Sequence, residues 1–113
     1  MNSEQLRTFC MSLPGVHDGI KWEHDLCYMV AEKMFCVTGL EEGSAVSLKV
    51  GDDEFEELCE RDGILPAPYL ARNKWVMIEK RSALKHKEWE YHIRQSYELI
   101  KSKLPKKVRE ALG

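Results

Sequence analysis

A chain of 113 residues that is 43% hydrophobic and 32% charged has the size and balance of one globular domain. No run approaches the ~20 apolar residues of a membrane span, and the polar start Met1-Asn2-Ser3-Glu4-Gln5 lacks an apolar signal core, so a cytoplasmic protein with no membrane partner is expected. The net charge of −2 hides an asymmetry: residues 1–71 hold 5 basic and 14 acidic side chains, whereas residues 72–113 hold 12 and 5.

Asn2 to Met11 reads as an amphipathic helix, because Leu6, Phe9, Cys10 and Leu13 follow helical spacing. Asn2 with Gln5 three residues on resembles a capping box, and Pro14-Gly15 stops the helix. Residues 16–24 read as a polar loop holding His17, Asp18, Lys21, Trp22, Glu23 and His24. Three strand-like runs follow, at about 25–31, 33–40 and 44–50. The third alternates, with Val46, Leu48 and Val50 on one face. Tight turns are expected at Glu32-Lys33 and at Glu41-Glu42-Gly43-Ser44, so the three runs make an antiparallel meander.

Asp52 to Glu60 reads as a helix capped by Asp52 or Asp53, with Phe55, Leu58 and Cys59 inward and Gly63 suited to its end. Pro66-Ala67-Pro68 then demands an extended connector, which Tyr69 and Trp75 anchor to the core. One extra short strand is possible near these prolines. Lys74 to Lys80 is apolar on both faces and reads as an interior strand. The longest helix spans about His86 to Lys103 and buries Trp89, Ile93, Ser96, Tyr97, Ile100 and Leu104; Pro105 ends it and opens a short last helix. The order α-β-β-β-α-(β)-β-α-α describes an α+β two-layer sandwich, an antiparallel sheet with helices packed on one face, in a single domain over residues 1–113.

Several groups in this order resemble the MmcQ/YjbR family of small bacterial proteins. They are Leu13-Pro14-Gly15, Trp22, Lys33-Met34-Phe35, Ser47-Leu48-Lys49, Pro66-Ala67-Pro68-Tyr69, Trp75-Val76, Gln95-Ser96-Tyr97 and Leu104-Pro105-Lys106-Lys107. The resemblance covers about residues 3–110. It implies a CyaY-like fold, related in outline to frataxin-like and secretion-chaperone-like domains. It also implies DNA binding through two hairpin wings, although a fold does not by itself carry a function.

The residues support a modified form of that expectation. Residues 23–62 contain 3 basic and 12 acidic side chains, with Glu41-Glu42 and Glu32 at the hairpin tips, which repel phosphates. A weak DNA-binding surface is therefore expected from Arg72, Lys74, Lys80, Arg81, Lys87, Arg94 and Lys101. Lys87, Arg94 and Lys101 form a ridge along the long helix with steps of roughly 10 Å. The pairs Glu90–Arg94 and Arg94–Glu98 offset part of it. The alternative is an adaptor for a protein or small ligand, with Trp22, Tyr69 and Trp75 around a groove and Lys33 and Lys49 supplying charge.

Other chemistries lack a pattern. His17, His24 and Cys27 have no finger-like spacing, His86 and His92 read as surface residues, and the six carboxylates of Asp52–Glu60 read as a solvated face, so no metal is expected. Cys10, Cys27, Cys36 and Cys59 form no C-x-x-C pair and read as buried reduced thiols. No Gly-rich phosphate loop, G-x-S-x-G or H-E-x-x-H occurs, so no catalysis and no cofactor are expected, and the chain is expected to be monomeric.

Overall fold

A computed structural model describes residues 1–112 of the chain. Asn2 starts the first helix, α1 (Ser3–Ser12), through the expected capping box. Its side chain accepts from the Gln5 amide at 2.8 Å, and its own amide donates to Gln5 Oε1 at 2.9 Å. Two amides that a helix start leaves without partners are thereby satisfied.

The expected polar loop at 16–24 is instead mostly a strand. β1 (Val16–Lys21) pairs antiparallel with β2 (Asp25–Val30), from Val16↔Val30 to Lys21↔Asp25. An edge strand has a neighbour on one side only, and here just Val16 and Ile20 carry the apolar alternation, which conceals it in the sequence. The turn Trp22–His24 places Trp22 and Glu23 at positive φ.

β3 (Lys33–Gly39) follows through Ala31 and Glu32, both at positive φ, as a two-residue hairpin turn of this hand requires. The turn therefore lies one residue before its expected position. Phe35 is the extra residue of a bulge opposite Tyr28 and Met29, and both Phe35 and Cys36 enter the core. β4 (Val46–Lys49) leads into α2 (Asp52–Cys59). Neither Asp52 nor Asp53 caps this helix; Gly51 holds the N-cap position without a side-chain bond.

The extra strand exists as β5 (Ile64–Pro66). Gly63 before it is required: its φ is +91°, and a Cβ there would fall 2.8 Å from that of Lys80. After a 3-10 turn at Ala71–Asn73, β6 (Trp75–Ile78) lies between β4 and β5, an interior strand as its apolar run suggests. Tyr69 does not anchor the connector, since it is fully exposed. Ala67 and Trp75 do so: both are buried, and the Ala67 amide donates to the Trp75 carbonyl at 3.0 Å. The chain closes with α3 (His86–Lys101) and α4 (Lys106–Ala111).

The sheet order is β1-β2-β3-β4-β6-β5, antiparallel throughout. Paired residues share a face, so Tyr28, Cys36, Leu48 and Val76 line one side with Thr38, Val46, Ile78 and Ile64. Leu6 and Cys10 of α1, Leu58 of α2, and Ile93 and Tyr97 of α3 join these apolar residues in one core cluster. Cys27, Val37 and Met77, on the other face, lie outside it. The two-layer α+β arrangement is therefore present, with one more strand than the sequence suggests. The four cysteines are free thiols, three of them buried.

Strand directions give the sheet two unlike ends. One carries Lys33, Lys49, Gly51 and the Pro66–Trp75 connector; the other carries the Trp22–His24 and Leu40–Ala45 turns. Trp89 Nε1 donates to the Arg81 carbonyl at 2.9 Å, whereas Tyr97 donates to the Pro14 carbonyl. α3 thus runs from the second end toward the first.

Candidate anion-binding site

Lys49 is the charged residue that the fold treats most unusually. Lysine is almost never buried without a partner, yet Lys49 is 9% exposed. β4 places it opposite Trp75, and its backbone amide donates to Ser96 Oγ on α3 at 3.0 Å. Its ammonium donates to the Asn73 carbonyl. Among the described residues no carboxylate lies within 4.0 Å of that ammonium. Burial, and then the charge of Lys103, push its pKa below the usual lysine value; Lys74 adds to the depression and Asp52 opposes it.

Three ammonium groups therefore converge on one end of the sheet. Lys74 sits at φ 63°, where its backbone amide donates to the Ala71 carbonyl at 2.9 Å, and its own carbonyl accepts from the Val50 amide at 2.9 Å. Its ammonium sits 5.0 Å from the centre of the Phe55 ring. Arg72 is exposed in the adjoining 3-10 turn, and Lys103 is exposed just past α3. Lys33 opens β3 at this same end, and Lys101 lies 5.4 Å over the Tyr97 ring. An oxyanion placed here meets a buried ammonium with two donors left and exposed cations around it.

Four residues of the expected DNA surface lie elsewhere. Arg81 is a structural tie: its side chain is 13% exposed and donates to the Ser44 carbonyl at 2.9 and 3.0 Å and to the Met1 carbonyl at 3.2 Å. Lys80 pairs with Asp62 at 2.6 Å. Lys87 faces a cleft shared with Glu54, Glu57 and Glu88, and Arg94 lies 5.5 Å over the Phe9 ring. The helical ridge is real as a spacing, but its members meet different surroundings. Arg72, Lys74 and Lys101 remain at the basic end.

The adaptor groove does not assemble as one site. Lys49 and Trp75 are cross-strand neighbours, with Lys33 at the same end. Trp22, 61% exposed, stands at the opposite end of the sheet, and Tyr69 projects into solvent. Sequence reasoning missed Lys103 because it falls beyond the helical ridge, and missed Asn73, whose carbonyl does the work. Among the described residues no group of three His, Cys, Asp or Glu side chains is placed to hold a metal, and no helix is long and apolar enough to cross a membrane.

A family model described as YjbR matches residues 11–99, from the end of α1 through most of α3. The chain belongs to the YjbR family. A crystal structure of the Deinococcus radiodurans protein DR2400, with a DUF419 domain, is similar to this YjbR chain at a TM-score of 0.87 and 25% identity, over 97% of this chain and 86% of that one. A protein from Pseudomonas syringae is similar at a TM-score of 0.71 and 19% identity, over 88% and 98% of the two chains, a likeness of fold alone. No curated protein matches the chain. The family match includes Lys49, Arg72 and Lys74 and stops short of Lys101 and Lys103.

Proposed function

We propose that this YjbR protein is a non-enzymatic, cytoplasmic module that binds nucleic acid by its phosphate backbone at the basic end of the sheet. Lys49 carries the reading: a nearly buried ammonium with no carboxylate partner among the described residues, flanked by Lys74 and Lys103, is stabilised by an incoming anion. Arg72, Lys33 and Lys101 extend that surface. Of the acidic hairpin tips, Glu41-Glu42 lies at the opposite end of the sheet, whereas Glu32, exposed beside Lys33, opposes the bound phosphate. Glu42 is committed to the fold, accepting from the Ser3 amide at 2.9 Å and the Gly43 amide at 3.0 Å.

Phosphate contacts of this kind release counterions and carry no base preference. Four contacts imply a loss of roughly 100-fold in affinity between about 50 and 200 mM salt. Fluorescence anisotropy with a random-sequence duplex across that range tests the reading. A steep linear fall of log affinity against log salt is expected. No binding at tens of micromolar protein in about 50 mM salt would rule it out, since counterion release favours binding most there.

A further inference from the structure

Ala67–Leu70 is a tight turn at the basic end, closed by the Leu70 amide donating to the Ala67 carbonyl at 3.2 Å. Pro68 and Tyr69 are its two central residues, and Tyr69 has φ 66°. Proline followed by a positive φ is the pattern of a type II turn, whose second central position takes Gly or Asn because a Cβ is strained there. This chain has tyrosine at that position instead. Its ring gives the fold nothing in return, since the side chain is as exposed as in an extended peptide.

Both ends of the turn are fixed. The Ala67 amide donates to the Trp75 carbonyl at 3.0 Å, and the Leu70 carbonyl accepts from the Asn73 and Trp75 amides at 3.1 and 3.2 Å. Pro66 and Pro68 restrict the backbone further. The ring is therefore held out from a rigid loop and loses little freedom when something covers it. Of the other exposed aromatic side chains, Trp22 stands at the opposite end of the sheet, and Tyr91 donates to Glu54 on α2 at 3.0 Å.

Arg72 follows three residues after Tyr69, so their Cα atoms lie within about 11 Å. Asn73, whose carbonyl accepts from the Lys49 ammonium, and Lys74 belong to the same loop. A flat aromatic face thus stands beside a cluster of cations. Nucleic acid presents the matching pair, a flat base next to phosphates, but only where the base is unpaired. In a duplex the neighbouring base pairs already cover both of its faces.

We propose that Tyr69 is a stacking platform for an unpaired base of a single-stranded nucleic acid, whose neighbouring phosphates meet Arg72, Lys74 and Lys49. This rests on phosphate binding at the basic end: the cations hold the strand, and the ring selects unpaired bases over paired ones.

Anisotropy of the full chain in about 50 mM salt, with a labelled random-sequence strand of about 15 nucleotides and with its duplex, tests it. A ribose version of the strand, run alongside, tells RNA from DNA as the source. Tyr69→Ala should weaken strand binding roughly five-fold or more, leave duplex binding within about two-fold and keep the salt slope, because stacking displaces no counterion. Tyr69→Phe keeps the ring and should stay within about two-fold of wild type on both probes. Strand binding unchanged in Tyr69→Ala, or equal losses on strand and duplex, would overturn the stacking role while phosphate binding stands. No binding of either probe by the wild type would overturn both.

Discussion

Ser96 Oγ accepts the Lys49 amide at 3.0 Å and donates to the Phe35 carbonyl, so one buried hydroxyl joins α3 to both β3 and β4. The side chain is fully buried. Ser96→Ala leaves a buried amide and a buried carbonyl unpaired, at a cost of about 1–3 kcal/mol. Urea unfolding should show a lower midpoint at unchanged slope. An unchanged midpoint would mean that the hydroxyl is not what holds Lys49 in place.

Arg81 illustrates how a charge that reads as a binding residue can belong to the fold. Its guanidinium ties the Leu40–Ala45 turn and the chain start to the segment before α3. Arg81→Ala should destabilise the protein by about 2 kcal/mol. At a protein concentration corrected for the folded fraction, nucleic-acid affinity should be unchanged. Lost affinity with wild-type stability would return Arg81 to the binding surface.

Acid should act on the α2–α3 contact in two steps of the same sign. Burial lowers the His92 pKa below 6.5, so the unfolded chain takes up this proton first and stability falls as pH drops below 6.5 toward the folded value. The Arg61 hydrogen bond, then the Lys85 amide, lower Glu88 from 4.5 to about 2, so its contribution is present above pH 4.5 and is lost as pH falls toward about 2. Unfolding free energies measured from pH 8 to pH 3 should decline through both windows, and Glu88→Gln should flatten the lower one. A profile for Glu88→Gln parallel to the wild type would contradict this assignment.

The thiols should be quiet in the folded protein. Hydrogen bonding with Cys36 and then burial push the Cys10 thiol up, and burial raises Cys27 and Cys59. A thiol reagent at pH 8 should modify Cys59, which is partly exposed, well before the other three, which should react only on unfolding. Rapid modification of all four without denaturant would contradict the packing described for α1 and β3.

Much of this architecture is legible in residue patterns, because helices and half-buried strands print their periods on the sequence. The Asn2 capping box, the Val46–Leu48 alternation and the Trp89–Ile93–Ser96–Tyr97 stripe all carry through. β1 does not, since an edge strand of polar and glycine residues leaves little alternation to read. His92 reads as a surface residue but is buried, because it lies three residues after Trp89 and one before Ile93, on the margin of the buried stripe. The basic end is illegible for a different reason. It forms because β4 and α3 run toward it and β6 starts there, which brings together residues 33, 49, 72–74 and 101–103; no local pattern encodes such convergence. Of the seven cations that the charge asymmetry and the helical ridge point to, Lys80, Arg81, Lys87 and Arg94 fall outside this end.

Charge reversal at each end, read by anisotropy with a short random duplex in about 50 mM salt, tests the binding claim most directly. Arg72→Glu/Lys103→Glu changes two exposed side chains at the basic end, and Lys80→Glu/Lys87→Glu changes two exposed ones elsewhere. The first pair should reduce affinity by roughly ten-fold or more and lower the salt slope by about 2, while the second leaves both within about two-fold of wild type. Equal losses from the two pairs, or a larger loss from the second, would contradict a binding surface centred on Lys49.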